Sequence, residues 1–383
     1  MKSYKFRLYP TEQQVKILND TLETCRHLYN DCLGERSADW DVGFYEQKQL
    51  LTLRKQGNKF LQQVHSQVLQ DVLLRLDKAY QAFFKKIAKY PKFKRYGKYN
   101  SFTYPQSGWK IKDDGTLILS MIGAIKIELH REIIGRQKRC TIIRDIDQWY
   151  CVVITTTESE PETKPQRDTA VGIDGGLGLN WLTLSTGEKI ENNLCFKEQE
   201  RQIKELQRSL SRKKKGSRNR EKARVALAKG WRTVRRQRED FCHKVSKHLA
   251  DEFHTIVFEE LNINNMVKNH KVAKAIMGAT WSKLRQYTTY KVHSRGGQVI
   301  LVNPNGTSQK CSRCGKVVPK DLSVRIHECQ HCGLVLDRDH NAALNILKLG
   351  LEQARAEPKP LFVRQRISKF QARKQEAHVL RRG

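Results

Sequence analysis

The chain has no run of 18 apolar residues, no secretory signal pattern and no lipidation motif. Those gaps argue against a membrane-spanning or membrane-anchored protein and leave a cytoplasmic one, with no membrane partner, as the expectation. Acidic residues are scarce beside basic ones: 40 Asp and Glu against 72 Lys and Arg in 383 residues, a formal charge of +32. Such an excess points to a polyanion, because each neutralised phosphate releases condensed counterions whatever the base sequence. Nucleic acid is the expected partner. A disulfide frame is missing as well: of ten cysteines, Cys25, Cys32, Cys140, Cys151, Cys195 and Cys242 are scattered, as reduced interior thiols are. Apolar residues make up 38%, enough for the cores of two or three domains at this length.

The other four cysteines are paired. Cys311 and Cys314 form one CxxC and Cys329 and Cys332 another, with 14 residues between the pairs. Two such knuckles on a short hairpin close tetrahedrally on one Zn²⁺. Matched pairs in a reducing compartment bind metal far more often than they form disulfides or redox centres. Soon after Cys332 come Asp337, Arg338 and Asp339, and then NAALNILKLG, an apolar-periodic helix with Asp339 near its N-terminal cap. The ribbon thereby fixes a carboxylate.

At the N-terminus, residues 2–8 read as a strand, and Thr11 with Gln14 occupies capping-box positions for a helix carrying Val15, Leu18, Leu22, Cys25, Tyr29 and Cys32 at helical spacing. A second long helix is expected over about residues 59–89, offering Lys78 and Gln81 on its polar face. Residues 90–106, YPKFKRYGKYNSFTYPQ, alternate bases with aromatics; Lys92, Lys94 and Arg95 suit phosphates while the rings stack on bases or rejoin the core. Further β-type runs, over residues 109–112, 116–120, 125–130, 139–145 and 149–156, make a small β-barrel with residues 2–8, and residues 158–166 form a polar linker out of it.

From Thr169 the pattern is α/β. VGIDGGL is a buried-type strand ending on Asp174, and HTIVFEE is another ending on Glu259. Adjacent side chains on a strand face opposite ways, so only one of Glu259 and Glu260 points inward. Between these strands, residues 201–247 hold 18 Lys and Arg against four acids. Their apolar spacing fits two helices around SRKKKGSRNRE, a hairpin suited to a nucleic-acid backbone through Arg212, Lys213, Lys214 and Lys215. Asp174, Glu259 and Asp339 together suit two-metal phosphodiester hydrolysis, with Glu260 and Asp337 as runners-up. Hard oxygen donors favour Mg²⁺ or Mn²⁺ there.

VGIDGGL, IVFEELNINNM, the paired CxxC and DRDHNAALNI, in that order behind KFRLYPTEQQ, resemble the TnpB family of transposon-encoded RNA-guided DNA nucleases, similar to type V CRISPR effectors. The resemblance implies an α+β multidomain fold. A wedge-type β-barrel (residues 1–10 and 107–165) would be interrupted by a helical recognition insertion (11–106). A RuvC-like, RNase H-type nuclease domain (168–302 and 337–352) would enclose a zinc ribbon (303–336), followed by a basic flexible tail (353–383). It places catalysis on Asp174, Glu259 and Asp339. It also implies a guide RNA from the same mobile element, double-stranded target DNA, a short target-adjacent motif and a monomeric ribonucleoprotein. Lys78, Gln81, Tyr104 and Gln106 are the candidates for reading that motif. Gly175 departs from the family, which carries a larger apolar residue after the first aspartate, and the loop before Trp181 is about one residue longer. A guide-independent, structure-selective nuclease and a non-catalytic transposition accessory protein are the alternatives.

Overall fold

The computed structural model describes residues 1–39, 41–156, 169–192, 195–266, 268–269, 273, 280–321 and 324–356. The expected linker at residues 158–166 lies outside them. Two compact units divide the chain, Met1–Ser159 and Glu160–Gly383.

The first unit opens with β1 (Lys2–Tyr9), followed by α1 (Glu12–Ala38), α2 (Phe44–Gly57), α3 (Lys59–Gln62) and α4 (Ser66–Phe84). Then come β2 (Ser101–Tyr104), β3 (Trp109–Lys112), β4 (Thr116–Leu119), β5 (Gly123–Glu128), β6 (Arg136–Asp145) and β7 (Gln148–Thr156). The strands form one antiparallel sheet in the order β2-β6-β7-β1-β5-β4-β3. Alternation drives it: Tyr4, Phe6 and Leu8 of β1 are buried while Lys5 and Arg7 point away. The capping box at Thr11 and Gln14 starts α1, whose Leu18, Leu22, Cys25, Tyr29 and Cys32 share a core with Val68, Val72, Leu76 and Tyr80 of α4.

Several expectations change here. The barrel is an open sheet, with β2 and β3 as its two edges. Strand β2 falls inside the stretch assigned to the helical insertion, because Phe102, Thr103 and Tyr104 are buried against β6. The single helix over residues 59–89 is two. Asn58 caps the short α3, and His65, in extended backbone (ψ 134°), starts α4 afresh. Helix α4 stops at Phe84, where Lys86 turns left-handed (φ 58°) and the Ile87 and Ala88 amides close on the Ala82 carbonyl.

The second unit carries β8 (Ala170–Gly175), β9 (Asn180–Leu184), β10 (Lys189–Glu191), α5 (Cys195–Ser211), α6 (Arg218–Glu252), β11 (Thr255–Glu259) and α7 (Ile263–Met266). After these come α8 (Trp281–His293), β12 (Gln298–Val302), the hairpin of β13 (Ile326–Glu328) and β14 (Val335–Asp337), and α9 (Arg338–Ala356). Residues 353–356, assigned to the tail, are therefore helical, and residues 357–383 lie outside the described chain. The main sheet runs β10-β9-β8-β11-β12, antiparallel from β10 to β8 and parallel from β8 to β12.

Strand alternation gives this sheet two buried faces. Ile173, Ile256 and Phe258 pack in one core with Leu249 of α6 and Leu284 of α8; Val257 packs with Ile346 of α9 on the other side. Gly172 and Gly350 allow that second contact. A Cβ on Gly172 would meet the Ala343 carbonyl, and one on Gly350 would meet Val257. Asp174 shares the parity of Gly172 and Glu259 that of Val257, so both carboxylates project to the face that α9 covers.

Candidate active site

In the parallel β8–β11 register, Gly172 pairs with Val257 and Ile173 with Phe258. Asp174 and Glu259 follow at the carboxyl ends of these neighbouring strands. Asp339 lies in the first turn of α9, which rests on the same face. The sheet and helix thus bring the three expected carboxylates onto one face, close enough for the charges of Glu259 and Asp339 to bear on Asp174. Burial first, and then the charges of Glu259 and Asp339, push the Asp174 carboxyl up to about 8. Burial also raises the Glu259 carboxyl, against the pull of a hydrogen bond from the Thr307 hydroxyl at 2.9 Å.

The runners-up have other tasks. Glu260 is exposed, as alternation with Glu259 requires. Asp337 caps α9: its Oδ1 accepts from the Asp339 and His340 amides, both at 3.0 Å, and its Oδ2 pairs with Lys189 at 2.8 Å. Burial pulls the Asp337 carboxyl up, but Lys189 and those amides outweigh it and hold the group below the usual range.

Two arginines, neither expected to act at the site, enter it. The Arg338 guanidinium donates to Asp339 Oδ1 at 2.9 and 3.0 Å, and Arg325 stands 3.9 Å from Oδ2. Thr307, Asn341 and Asn345 also escaped notice. The one signal for the asparagines is polar residues spaced i, i+4 on a helix face that is otherwise apolar.

Two metal types were expected, and the donor sets differ as their chemistry requires. The four cysteines have all their Sγ atoms within 4.8 Å of one another, with Cys311 and Cys332 at 3.6 Å and Cys314 and Cys329 at 3.6 Å. A tetrahedron of sulfurs about 2.3 Å from Zn²⁺ has edges of about 3.8 Å, so the cluster fits zinc and is too wide for disulfides. The two knuckles repeat one turn. Gly315 (φ 74°) and Gly333 (φ 68°) each follow the second cysteine, and their amides donate to the Cys311 and Cys329 carbonyls at 2.9 and 2.8 Å. The three carboxylates form no such tight cage among the described residues. Hard carboxylate oxygens are the donors that Mg²⁺ or Mn²⁺ takes, and an acid raised to about 8 by burial and by its neighbours' charge is relieved by a cation.

The remaining candidates separate by exposure. Lys78, Gln81, Lys92, Arg95 and Gln106 are exposed, although Gln81 donates to Asp77 at 2.6 Å. Lys94 is half-buried, its main chain bonded to Asn30 and its ammonium 5.2 Å above the Tyr29 ring. Tyr104 is not a contact residue: it is 1% exposed, and its hydroxyl donates to the Ser120 carbonyl at 2.9 Å. Arg212, Lys213, Lys214 and Lys215 form the exposed turn between α5 and α6. Of the aromatics in residues 90–106, Phe93 and Tyr96 are exposed, whereas Tyr99 and Phe102 pack in the core.

Three family models match this chain: one described as a helix-turn-helix domain over residues 1–42, one as a probable transposase over residues 151–270, and one as a Cas12f1-like TNB domain over residues 281–346. A protein of Streptomyces pristinaespiralis named putative RNA-guided DNA endonuclease is 34% identical over 363 residues, covering 91% of this chain and 89% of its own length. The chain belongs to the TnpB family. A second relative of this TnpB chain is the putative RNA-guided DNA endonuclease InsQ of Escherichia coli (strain K12), 29% identical over 373 residues, with 91% of this chain and 92% of InsQ covered. Among solved structures, a cryo-EM structure of a Cas12f1–sgRNA–target DNA complex matches with a TM-score of 0.55 at 13% identity, over 88% of this chain and 83% of that one; the likeness is one of fold. Over residues 1–42, where the matching model is described as a helix-turn-helix domain, the structure has β1 and the long α1.

Proposed function

We propose that this chain is an RNA-guided DNA endonuclease that cleaves target DNA by metal-dependent phosphodiester hydrolysis at Asp174, Glu259 and Asp339. The observation that carries the reading is the placement of Asp174 and Glu259 at the carboxyl ends of neighbouring parallel strands, with Asp339 in the first turn of the helix packed on the same face; the Asp174 carboxyl, pushed up to about 8 by burial and by the two other acids, agrees with it. Folding stability alone gives no reason to stack three acids on one covered face, whereas a divalent-ion site does. The strand order β10-β9-β8-β11-β12, with its antiparallel and parallel halves, supports the RuvC-like, RNase H-type assignment.

In this reading Asp174 and Glu259 are the flanking ligands, and Asp339 completes the set from α9. Mg²⁺ or Mn²⁺ bound there supplies Lewis-acid activation of water and neutralises charge at the leaving oxygen. The protein's part is positional. Parallel strands fix the spacing of Asp174 and Glu259, the Asp337 cap fixes the first turn of α9, and Arg338 orients Asp339. The Cys₄ cluster holds zinc as a structural ion, since four thiolates leave no open position.

Nucleic-acid contact is assigned to the exposed bases: Arg212, Lys213, Lys214 and Lys215 on the α5–α6 turn, and Lys78, Lys92 and Arg95 in the first unit. The guide RNA derives from the same mobile element and pairs with the target, while the protein reads a short target-adjacent motif. The relatives named as putative RNA-guided DNA endonucleases support this. The test is to purify the protein from its host, sequence the co-purifying RNA, and assay cleavage of a matching duplex with Mg²⁺. A defined guide and cleavage abolished by Asp174→Ala are expected. Absence of a specific RNA removes the guidance, and undiminished cleavage by Asp174→Ala removes the site.

A further inference from the structure

Glu259 is held by a side chain 48 positions away. The Thr307 hydroxyl lies 2.9 Å from Glu259 Oε1 and 3.0 Å from the Pro304 carbonyl oxygen, and Thr307 is 5% exposed. A hydroxyl has one hydrogen to donate, and between a carboxylate and a neutral carbonyl the charged acceptor makes the stronger bond. Thr307 therefore commits Oε1 and leaves Oε2 without a hydrogen-bond partner among the described residues.

The main chain of Thr307 is fixed in turn. Asn345 Nδ2 donates to the Thr307 carbonyl at 2.8 Å and to the Lys310 carbonyl at 2.7 Å. One turn earlier on α9, Asn341 donates to the same Lys310 carbonyl at 2.8 Å and accepts from the Ser312 amide at 2.9 Å. Ser312 lies inside the first CxxC. Asn341 is 0% exposed and Asn345 8%, on a helix whose neighbouring Ala342, Ala343 and Ile346 supply the apolar packing. Two buried amides bonded to one six-residue stretch are more than packing needs. They tie the first cysteine knuckle, the helix of Asp339 and the hydroxyl on Glu259 into one network.

We propose that Thr307 is a positioning residue for Glu259, and that Asn341 and Asn345 couple it to the cysteine knuckle, so that the geometry of the Cys₄ cluster sets how tightly the carboxylates hold a divalent cation. The proposal rests on the reading of Asp174, Glu259 and Asp339 as a divalent-ion site. Thr307 does not touch substrate; it acts through Glu259, as hydrogen-bonding groups behind metal ligands do.

The test is Mn²⁺ binding by calorimetry on the full-length protein, with zinc content measured by elemental analysis for every variant. Thr307→Val keeps the branched shape and removes the hydroxyl. It is expected to weaken Mn²⁺ binding about tenfold with zinc content unchanged, while Thr307→Ser stays within about twofold of the wild type. Asn345→Ala is expected to weaken Mn²⁺ binding in the same direction at full zinc content. The Mn²⁺ concentration for half-maximal DNA cleavage shifts with the binding constant, and nucleic-acid affinity does not move. Wild-type Mn²⁺ affinity in Thr307→Val overturns the proposal. So does an equal loss in Thr307→Val and Thr307→Ser, which reports packing and not the hydroxyl. A wild-type protein whose Mn²⁺ binding is untouched by Asp174→Ala instead refutes the carboxylate site itself, a result separate from either.

Discussion

A Cβ added to Gly172 in β8 would lie 2.2 Å from the Ala343 carbonyl oxygen in α9 and 2.5 Å from the Leu347 amide nitrogen. The helix that carries Asp339 thus rests on the strand that carries Asp174 with only a glycine hydrogen between them. Backbone atoms cannot rotate away as a side chain would. Gly172→Ala is therefore expected to cost about 1–3 kcal/mol by overpacking. It also lifts α9, and a displacement near 1 Å costs on the order of 100-fold in rate. Thermal melting and single-turnover cleavage measure the two effects. Wild-type cleavage in a folded Gly172→Ala protein would show that the position of α9 does not matter to catalysis.

The residue after Asp174 tests a different contact. The Trp281 indole fills the space beside Gly175: a Cβ on Gly175 would come within 3.3 Å of the ring. Trp281 is 9% exposed. Gly175→Leu alone is expected to destabilise by about 1–3 kcal/mol. In a Trp281→Ala background the same change costs less, with a coupling of about 1 kcal/mol or more. Denaturant unfolding of the four proteins in this cycle decides it; additive costs would mean that the two sites do not exchange volume.

What the sequence made legible was whatever repeats locally. The apolar run ending at Glu259 marked β11 because a strand buried on both faces has few polar interruptions, and each CxxC marked a knuckle because that spacing turns two thiolates toward one metal. Helix α2 escaped because only Gln47 and Leu51 are buried on it, while Tyr45, Leu50 and Leu53 face outward and blur the period. Strand β2 escaped because alternation of rings with polar residues is the same pattern whether the rings meet a base or the core. Tyr104 went to the core. Thr307 was beyond reach, since its bond to Glu259 joins positions with no local relationship in the chain.

Tyr104 and the α5–α6 turn give opposite expectations for nucleic acid. Tyr104→Phe removes the hydrogen bond to the Ser120 carbonyl and is expected to cost about 1 kcal/mol of stability with no change in RNA or DNA affinity. Replacing Arg212, Lys213, Lys214 and Lys215 by glutamine leaves stability unchanged, since all four are exposed. If each meets a phosphate, the slope of log affinity against log salt falls by about 3. Binding titrations from low to moderate salt measure it. An unchanged slope would place the nucleic acid elsewhere.

The raised Asp174 carboxyl makes stability depend on pH in a direction that can be worked out. Its folded value, about 8, lies above the usual carboxylate range, so the folded protein without divalent ions holds a proton that the unfolded chain has released. That contribution is fully present below the unfolded value near 4 and is lost as pH rises through about 8. Zinc-loaded wild type without Mg²⁺ is thus expected to melt lower at pH 9 than at pH 6, beyond the trend shown by Asp174→Asn. At pH 9 the variant, which has no charge to bury, should be the more stable by about 2–3 kcal/mol, or roughly 5–10 °C. Added Mg²⁺ raises the wild-type melting temperature and leaves the variant nearly unmoved, because the cation binds the ionised carboxylates and stabilises the state that holds it. Parallel pH profiles for the two proteins would show that Asp174 is not under this strain.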